Sequence, residues 1–109
     1  AAKVELLKVN EDLITQYGAV SLEVARQMAE GIRAISGTDI GLSITGIMGP
    51  TGATTDKPIG LTYIGYCDNT VCTAYKFIFG DNRINNKIRA SYTALDILRK
   101  HILGIPIET

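Results

Sequence analysis

The amino-acid sequence predicts an α/β layered domain, and three observations carry that prediction. Segments with helical apolar spacing alternate with segments of period-two spacing. A run rich in β-branched and aromatic residues turns back on itself around Asp68-Asn69-Thr70. A long final segment, opened by Gly80-Asp81 and closed by Gly104 and Pro106, has the length and stripe of a terminal helix. With 109 residues, 46% hydrophobic and 20% charged, the chain has the size and composition of one globular domain, residues 1–109.

Each element can be justified in turn. Val4, Leu6 and Leu7 mark a short apolar segment, read as helical. Asn10 offers an N-cap to a second short helix, from Glu11 to Tyr17, with acidic residues in its first turn and Gly18 at its end. Ser21 caps the next helix, where Ala25, Met28, Ala29, Ile32 and Ile35 share one face and Gly37 supplies the stop. Residues 39–45 alternate as a strand, with Ile40, Leu42 and Ile44 on one face and Gly41, Ser43 and Thr45 on the other.

Residues 59–66 and 71–79 form a β-hairpin. Its aromatic residues (Tyr63, Tyr66, Tyr75, Phe77 and Phe79) read as sheet-face packing, because no basic interleaving makes them a base-stacking platform. Asp81 or Asn82 caps the final helix, and Ile84, Ile88, Tyr92, Leu95, Leu98 and Ile102 mark its expected buried stripe. Three strands are few for a sheet that needs faces and edges covered, so further strands are expected in the domain.

Composition narrows the partners. Eleven basic residues balance eleven acidic ones, which leaves no electrostatic footprint for nucleic acid. No apolar run is long enough to span a bilayer and no signal-peptide pattern opens the chain, so the expectation is a cytoplasmic protein with no membrane partner. Cys67 and Cys72 flank the hairpin turn, close enough to pair across it, but are expected as reduced thiols, since nothing marks the chain as secreted. His101 is the only histidine and no second Cys pair exists, so no metal site is expected; His101 reads as packed or solvent-facing. No residue cluster suggests a cofactor.

Between the two strand-like runs lies Thr45 to Gly60, a long loop of Gly, Thr and Pro. Loops of this length inside compact domains are functional or disordered, and the patterning here reads as a ligand loop. Gly46, Gly49, Gly52 and Gly60 allow positive φ and close approach of a ligand to backbone N–H groups. Pro50 and Pro58 stiffen the loop, and Lys57 adds a positive charge. A Thr-Gly strand end followed by Gly-Pro-Thr-Gly can form an anion-binding nest, with hydroxyls from Thr45, Thr51, Thr54 and Thr55. The pattern is neither a Walker A loop nor a Rossmann fingerprint, since a strand follows it. The ligand expected on chemistry is a phosphate or carboxylate compound; the plainer alternative is a glycine-rich turn that only joins two strands. Arg83, in the first turn of the last helix, opposes the helix dipole, and a phosphate held there would account for it. A solvated arginine is the alternative. Lys3 is uninformative on chemistry alone.

These residues resemble a known family. Tyr17-Gly18-Ala19-Val20-Ser21, Glu23-Val24-Ala25, Met28-Ala29, Thr45-Gly46-Ile47 with Gly49-Pro50 and Gly52, Lys57-Pro58, Gly60, Phe79-Gly80-Asp81 with Arg83, and Ala94-Leu95 are similar to the CinA C-terminal domain of competence/damage-inducible proteins. The resemblance covers essentially the whole chain. It implies a three-layer α/β/α domain with a mixed sheet, occurring as a homo-oligomer. It also implies a nicotinamide mononucleotide deamidase, which hydrolyses the ring carboxamide to nicotinate mononucleotide and ammonia in pyridine-nucleotide salvage.

The departures matter as much. The family nucleophile is a serine in a Glu-Ser-Cys-Thr-Gly-Gly segment, absent here, as is the Tyr-Ser-Asn that precedes the family's lysine. Lys3 matches that lysine, so the resemblance implies a domain fragment whose serine lies upstream and a 109-residue chain inactive alone. Met48 and Ala53 stand where the family usually has Ala and Gly. By the resemblance, Lys3 would keep the serine reactive and Thr45 would orient substrate or hydroxyl. Gly46, Gly49, Pro50 and Gly52 would line the site, and Lys57 and Arg83 would bind the substrate phosphate. The alternatives are a non-catalytic nucleotide-binding or protein-interaction domain, or a fragment serving assembly alone.

Overall fold

A computed structural model describes residues 4–8, 21–46, 59–80 and 82–107. They form strand β1 (Val4–Lys8), helix α1 (Leu22–Ser36), strands β2 (Ile40–Gly46), β3 (Leu61–Cys67) and β4 (Cys72–Ile78), and helix α2 (Arg83–Leu103). The sheet runs β1-β2-β3-β4, with β1 parallel to β2 and the other pairs antiparallel. A helix lies on each face, giving a three-layer α/β/α arrangement around a mixed sheet, as the sequence and its resemblance predict.

The first segment departs from expectation: Val4–Lys8 is a strand, not a helix. Five residues are too few to repay helix nucleation, whereas pairing from Val4↔Ile40 to Lys8↔Ile44 satisfies backbone groups along β2. The short helix expected from Glu11 to Tyr17 lies outside the described residues.

Helix α1 begins as its sequence predicts. The Ser21 side chain accepts a hydrogen bond from Val24 N at 3.2 Å, and Gly37 closes the helix in the left-handed region at φ 65°. The helix sits close on the sheet because Gly41 and Gly65 have no side chains there. A Cβ on Gly41 would run into Ala29 O, and one on Gly65 into Ala25 O. Ser43, between them, donates to Ala25 O at 2.6 Å. Ala25 and Ala29 are fully buried, but Ile35, expected on the same face, is 87% exposed. It lies beyond the Gly41 contact, where the helix leaves the strands.

The opposite face carries the bulk. Ile40, Leu42, Ile44, Ile64 and Tyr66 form a core with Ala90, Ala94 and Ile97 of α2. This reverses the expected orientation of α2. Ile84, Ile88, Tyr92, Leu95 and Ile102 are exposed, and of the expected stripe Leu98 alone reaches the core. The physical reason is volume: a sheet face already filled with Leu, Ile and Tyr accepts mostly small helix residues at close packing. Asn82 is the N-cap, accepting from Asn85 N at 3.0 Å, and Gly104 is the C-cap at φ 70°.

The hairpin turn also corrects an expectation. Cys67 and Cys72 are joined as a disulfide rather than held as separate thiols. Asp68 N donates to Val71 O at 2.8 Å, which makes 68/71 the hydrogen-bonded position and leaves Cys67↔Cys72 at the non-hydrogen-bonded one, where side chains approach most closely. The turn is held independently: Asp68 Oδ1 accepts from Thr70 N, Thr70 Oγ1 and Val71 N. Burial pushes the Asp68 carboxyl up, but these bonds and one from Tyr66 Oη outweigh it and hold it at about 2.

Candidate active site at one end of the sheet

Four chain segments converge where β2 ends. Thr45 and Gly46 close β2 and pair with Tyr63 and Thr62 near the start of β3. The turn into β3 passes through Gly60, whose φ of 87° needs glycine, and a Cβ there would lie 2.5 Å from Gly80 O and Phe79 O. Phe79 N donates to Gly60 O at 2.9 Å, tying the exit of β4 to the entry of β3. Asn86 Nδ2 then donates to Gly80 O at 2.7 Å, which anchors the first turn of α2 at the same place. The backbone of Arg83, first residue of α2, is therefore at this end of the sheet.

Gly46 is not in the positive-φ region; it is a strand residue whose missing side chain has another cause. A Cβ would lie 2.5 Å from Leu61 O and 3.0 Å from Thr62 Cα, so only glycine lets the start of β3 come so near. Thr62 is fully buried and donates to Gly60 O at 3.2 Å.

Thr45 is the chemically telling residue. It is 1% exposed, and its Oγ1 is buried with no hydrogen-bond partner among the described residues. Leaving a hydroxyl unpaired in the interior costs roughly 1–3 kcal/mol, so a folded chain keeps one where something else uses it. Ser43, two residues earlier on the same face, spends its hydroxyl on the Ala25 carbonyl.

The structure brings Thr45, Gly46 and the Arg83 backbone to one end of the sheet. Lys3, Gly49, Pro50, Gly52 and Lys57 lie outside the described residues. Val4, which follows Lys3, pairs with Ile40 at the far end of β2 from Thr45. Sequence reasoning missed Thr62 and Asn86, both fully buried at this junction. A signal for Asn86 existed, since it falls one turn after the Asn82 cap on the face shared with Ala90 and Ala94. The Tyr-rich far end is structural: the Tyr66 ring stacks on His101 at 3.7 Å, and Tyr75 Oη lies 2.9 Å from His101 Nε2. Burial lowers the His101 pKa and raises that of Tyr66, so both rings are held neutral.

Residues 1–102 match the model of the CinA C-terminal domain. The chain belongs to that family. A CinA-like protein of Syntrophomonas wolfei is 50% identical over 101 residues, covering 93% of this chain and 24% of the relative. Among solved structures, a competence/damage inducible protein of Agrobacterium tumefaciens superposes with a TM-score of 0.71 at 32% identity, over 83% of this chain and 56% of that one. A CinA superfamily protein of Escherichia coli gives a TM-score of 0.71 at 26% identity, over 84% and 54%. The chain thus spans about a quarter of the length of that curated relative and a little over half of the solved ones. Among the described residues no group of His, Cys, Asp and Glu could hold a metal, and no helix is long and apolar enough to cross a membrane.

Proposed function

We propose that this domain forms part of an amidohydrolase that converts nicotinamide mononucleotide to nicotinate mononucleotide and ammonia. The observation that carries the reading is the buried Thr45 hydroxyl, without a partner among the described residues, at the strand end where Gly46, Gly60 and the start of α2 converge. Membership of the CinA family supports the choice of chemistry. In this proposal a serine supplied upstream of residue 1 attacks the carboxamide carbon. The tetrahedral oxyanion is held by hydrogen-bond donors, ammonia leaves, and water hydrolyses the acyl ester. Thr45 orients the substrate carboxamide or the attacking hydroxyl. Arg83 and the loop around Lys57 receive the phosphate, with Gly49, Pro50 and Gly52 lining the path. The enzyme works as a homo-oligomer.

The test is ammonia release from nicotinamide mononucleotide by the full natural polypeptide carrying these residues, beside residues 1–109 alone and a Lys3→Ala variant. The proposal expects turnover by the full polypeptide and none by the 109-residue chain. Full activity in Lys3→Ala would remove Lys3 from the mechanism, in keeping with the placement of Val4 beside Ile40. Binding of the nucleotide without turnover by the full polypeptide would favour a non-catalytic binding domain.

A further inference from the structure

Helix α1 and strand β2 run in opposite directions, and their contacts advance in step. Gly41 of the strand lies against Ala29 O of the helix, and the next residue on that face, Ser43, donates to Ala25 O. Two strand residues cover about 6.7 Å and four helix residues about 6 Å. The following residue on the same face, Thr45, therefore meets the helix at Ser21, its N-cap. The Thr45 hydroxyl, buried without a partner among the described residues, is aimed at the start of α1.

That start has donors to spare. Ser21 takes Val24 N with its side chain and Ala25 N with its carbonyl. Leu22 N and Glu23 N, which the first turn of a helix leaves without intrahelical acceptors, have none among the described residues. The helix dipole adds partial positive charge at the same point. Glu23, the first-turn carboxylate that would answer it, is turned back along the helix to accept from Arg26 Nη2 at 2.6 Å and Gln27 Nε2 at 3.0 Å. Tyr63, opposite Thr45 on β3, and Lys76, opposite Tyr63 on β4, continue this face of the sheet. Two N–H groups and a hydroxyl without an acceptor share a need for one ligand oxygen, and a negatively charged one suits a helix start best. Arg83 opens the helix on the other face, so a phosphate has a separate place.

We propose, on the deamidase reading given above, that Leu22 N, Glu23 N and Thr45 Oγ1 hold the carboxamide oxygen of the substrate and the oxyanion it becomes. The carboxylate of the product takes the same place.

Proline at position 22 deletes one of these N–H groups at the helical position that accepts proline best. Ser21 before it already has the extended backbone, φ −158° and ψ 162°, that a following proline requires. Leu22→Ala keeps the N–H and is the reference for Leu22→Pro. Thr45→Ser and Thr45→Val form a second pair that differs by the hydroxyl, and this pair decides the matter if Leu22→Pro does not fold. All are made in the full natural polypeptide. Calorimetry follows binding of nicotinate mononucleotide and of ribose 5-phosphate, beside turnover of nicotinamide mononucleotide. Leu22→Pro is expected to bind nicotinate mononucleotide at least about tenfold more weakly than Leu22→Ala, and ribose 5-phosphate equally well. Its kcat should be lower by about a hundredfold, with a smaller change in KM. Thr45→Val should fall below Thr45→Ser in the same two readings. Equal binding and equal kcat within both pairs would overturn the proposal and leave the deamidase reading standing. Loss of ribose 5-phosphate in place of the carboxylate would also overturn it, by giving this place to the phosphate. An inactive parent that keeps the expected binding differences would remove the deamidase reading and uphold the site. Neither binding nor turnover by the parent would overturn both.

Discussion

The two faces of the sheet solve the same packing problem in opposite ways. Under α1 the strands are stripped to Gly41, Ser43 and Gly65, so that the helix backbone itself rests on the sheet. Under α2 the strands supply Ile40, Leu42, Ile44, Ile64 and Tyr66, and the helix answers with Ala90 and Ala94 and a single fully buried large residue, Ile97. Most of the bulk sits on one partner or the other, because interiors fill to a fixed density. A helix read by itself cannot reveal which arrangement it belongs to. For α1 this was harmless, since Ala25 and Ala29 fell within the expected face. For α2 the largest residues formed a clean helical stripe and proved to be the outside.

That contrast can be broken most severely on the α1 side. Gly65→Val would drive a side chain into the Ala25 carbonyl, and a loss above about 4 kcal/mol is expected, enough to leave no cooperative unfolding transition by circular dichroism. Ala in place of Leu42, on the bulky face, should leave a folded protein destabilised by roughly 2–5 kcal/mol in urea titrations. The hairpin end tests a polar contribution. Asp68→Ala removes the acceptor of the turn and of Tyr66, and a cost of about 1–3 kcal/mol is expected. Because the folded Asp68 sits at about 2, below its ordinary 3.8, the unfolded chain binds more protons between those values. The carboxylate's contribution should therefore be complete above about pH 4 and vanish as the pH falls through about 2, and the variant should lack that part of the acid limb. The smallest effect belongs to the outer face of α2. Ile88→Ser should shift stability by less than about 0.5 kcal/mol, where a core position would cost several times that.

Much of the architecture was legible in the sequence because it rests on local chemistry. Ser21 and Gly37 delimit α1, Asn82 and Gly104 delimit α2, and the Asp68 turn sets the hairpin register. What was not legible depends on partners distant in the chain. Val4–Lys8 becomes a strand through β2, which lies more than thirty residues later. Gly46 read as a site of positive φ or of close approach by a ligand, but its neighbour Leu61 is what demands it. Cys67 and Cys72 are a different case: they are neighbours across the hairpin, and their pairing went unexpected because the absence of secretion signals was weighed above the register. At the candidate site, Thr45 was visible as a strand-end hydroxyl, but its lack of a partner among the described residues emerges only when the surrounding backbone is assembled.

The most direct test of the Thr45 assignment is an isosteric exchange, Thr45→Val, in the full natural polypeptide. The account predicts opposite movements of two readings. Thermal stability should hold or rise, since an unpaired buried hydroxyl is removed, while kcat/KM for nicotinamide mononucleotide falls roughly tenfold or more. A variant that melts lower and hydrolyses the substrate as fast as the parent would show the Thr45 hydroxyl to be part of the fold, and would contradict its place in the site.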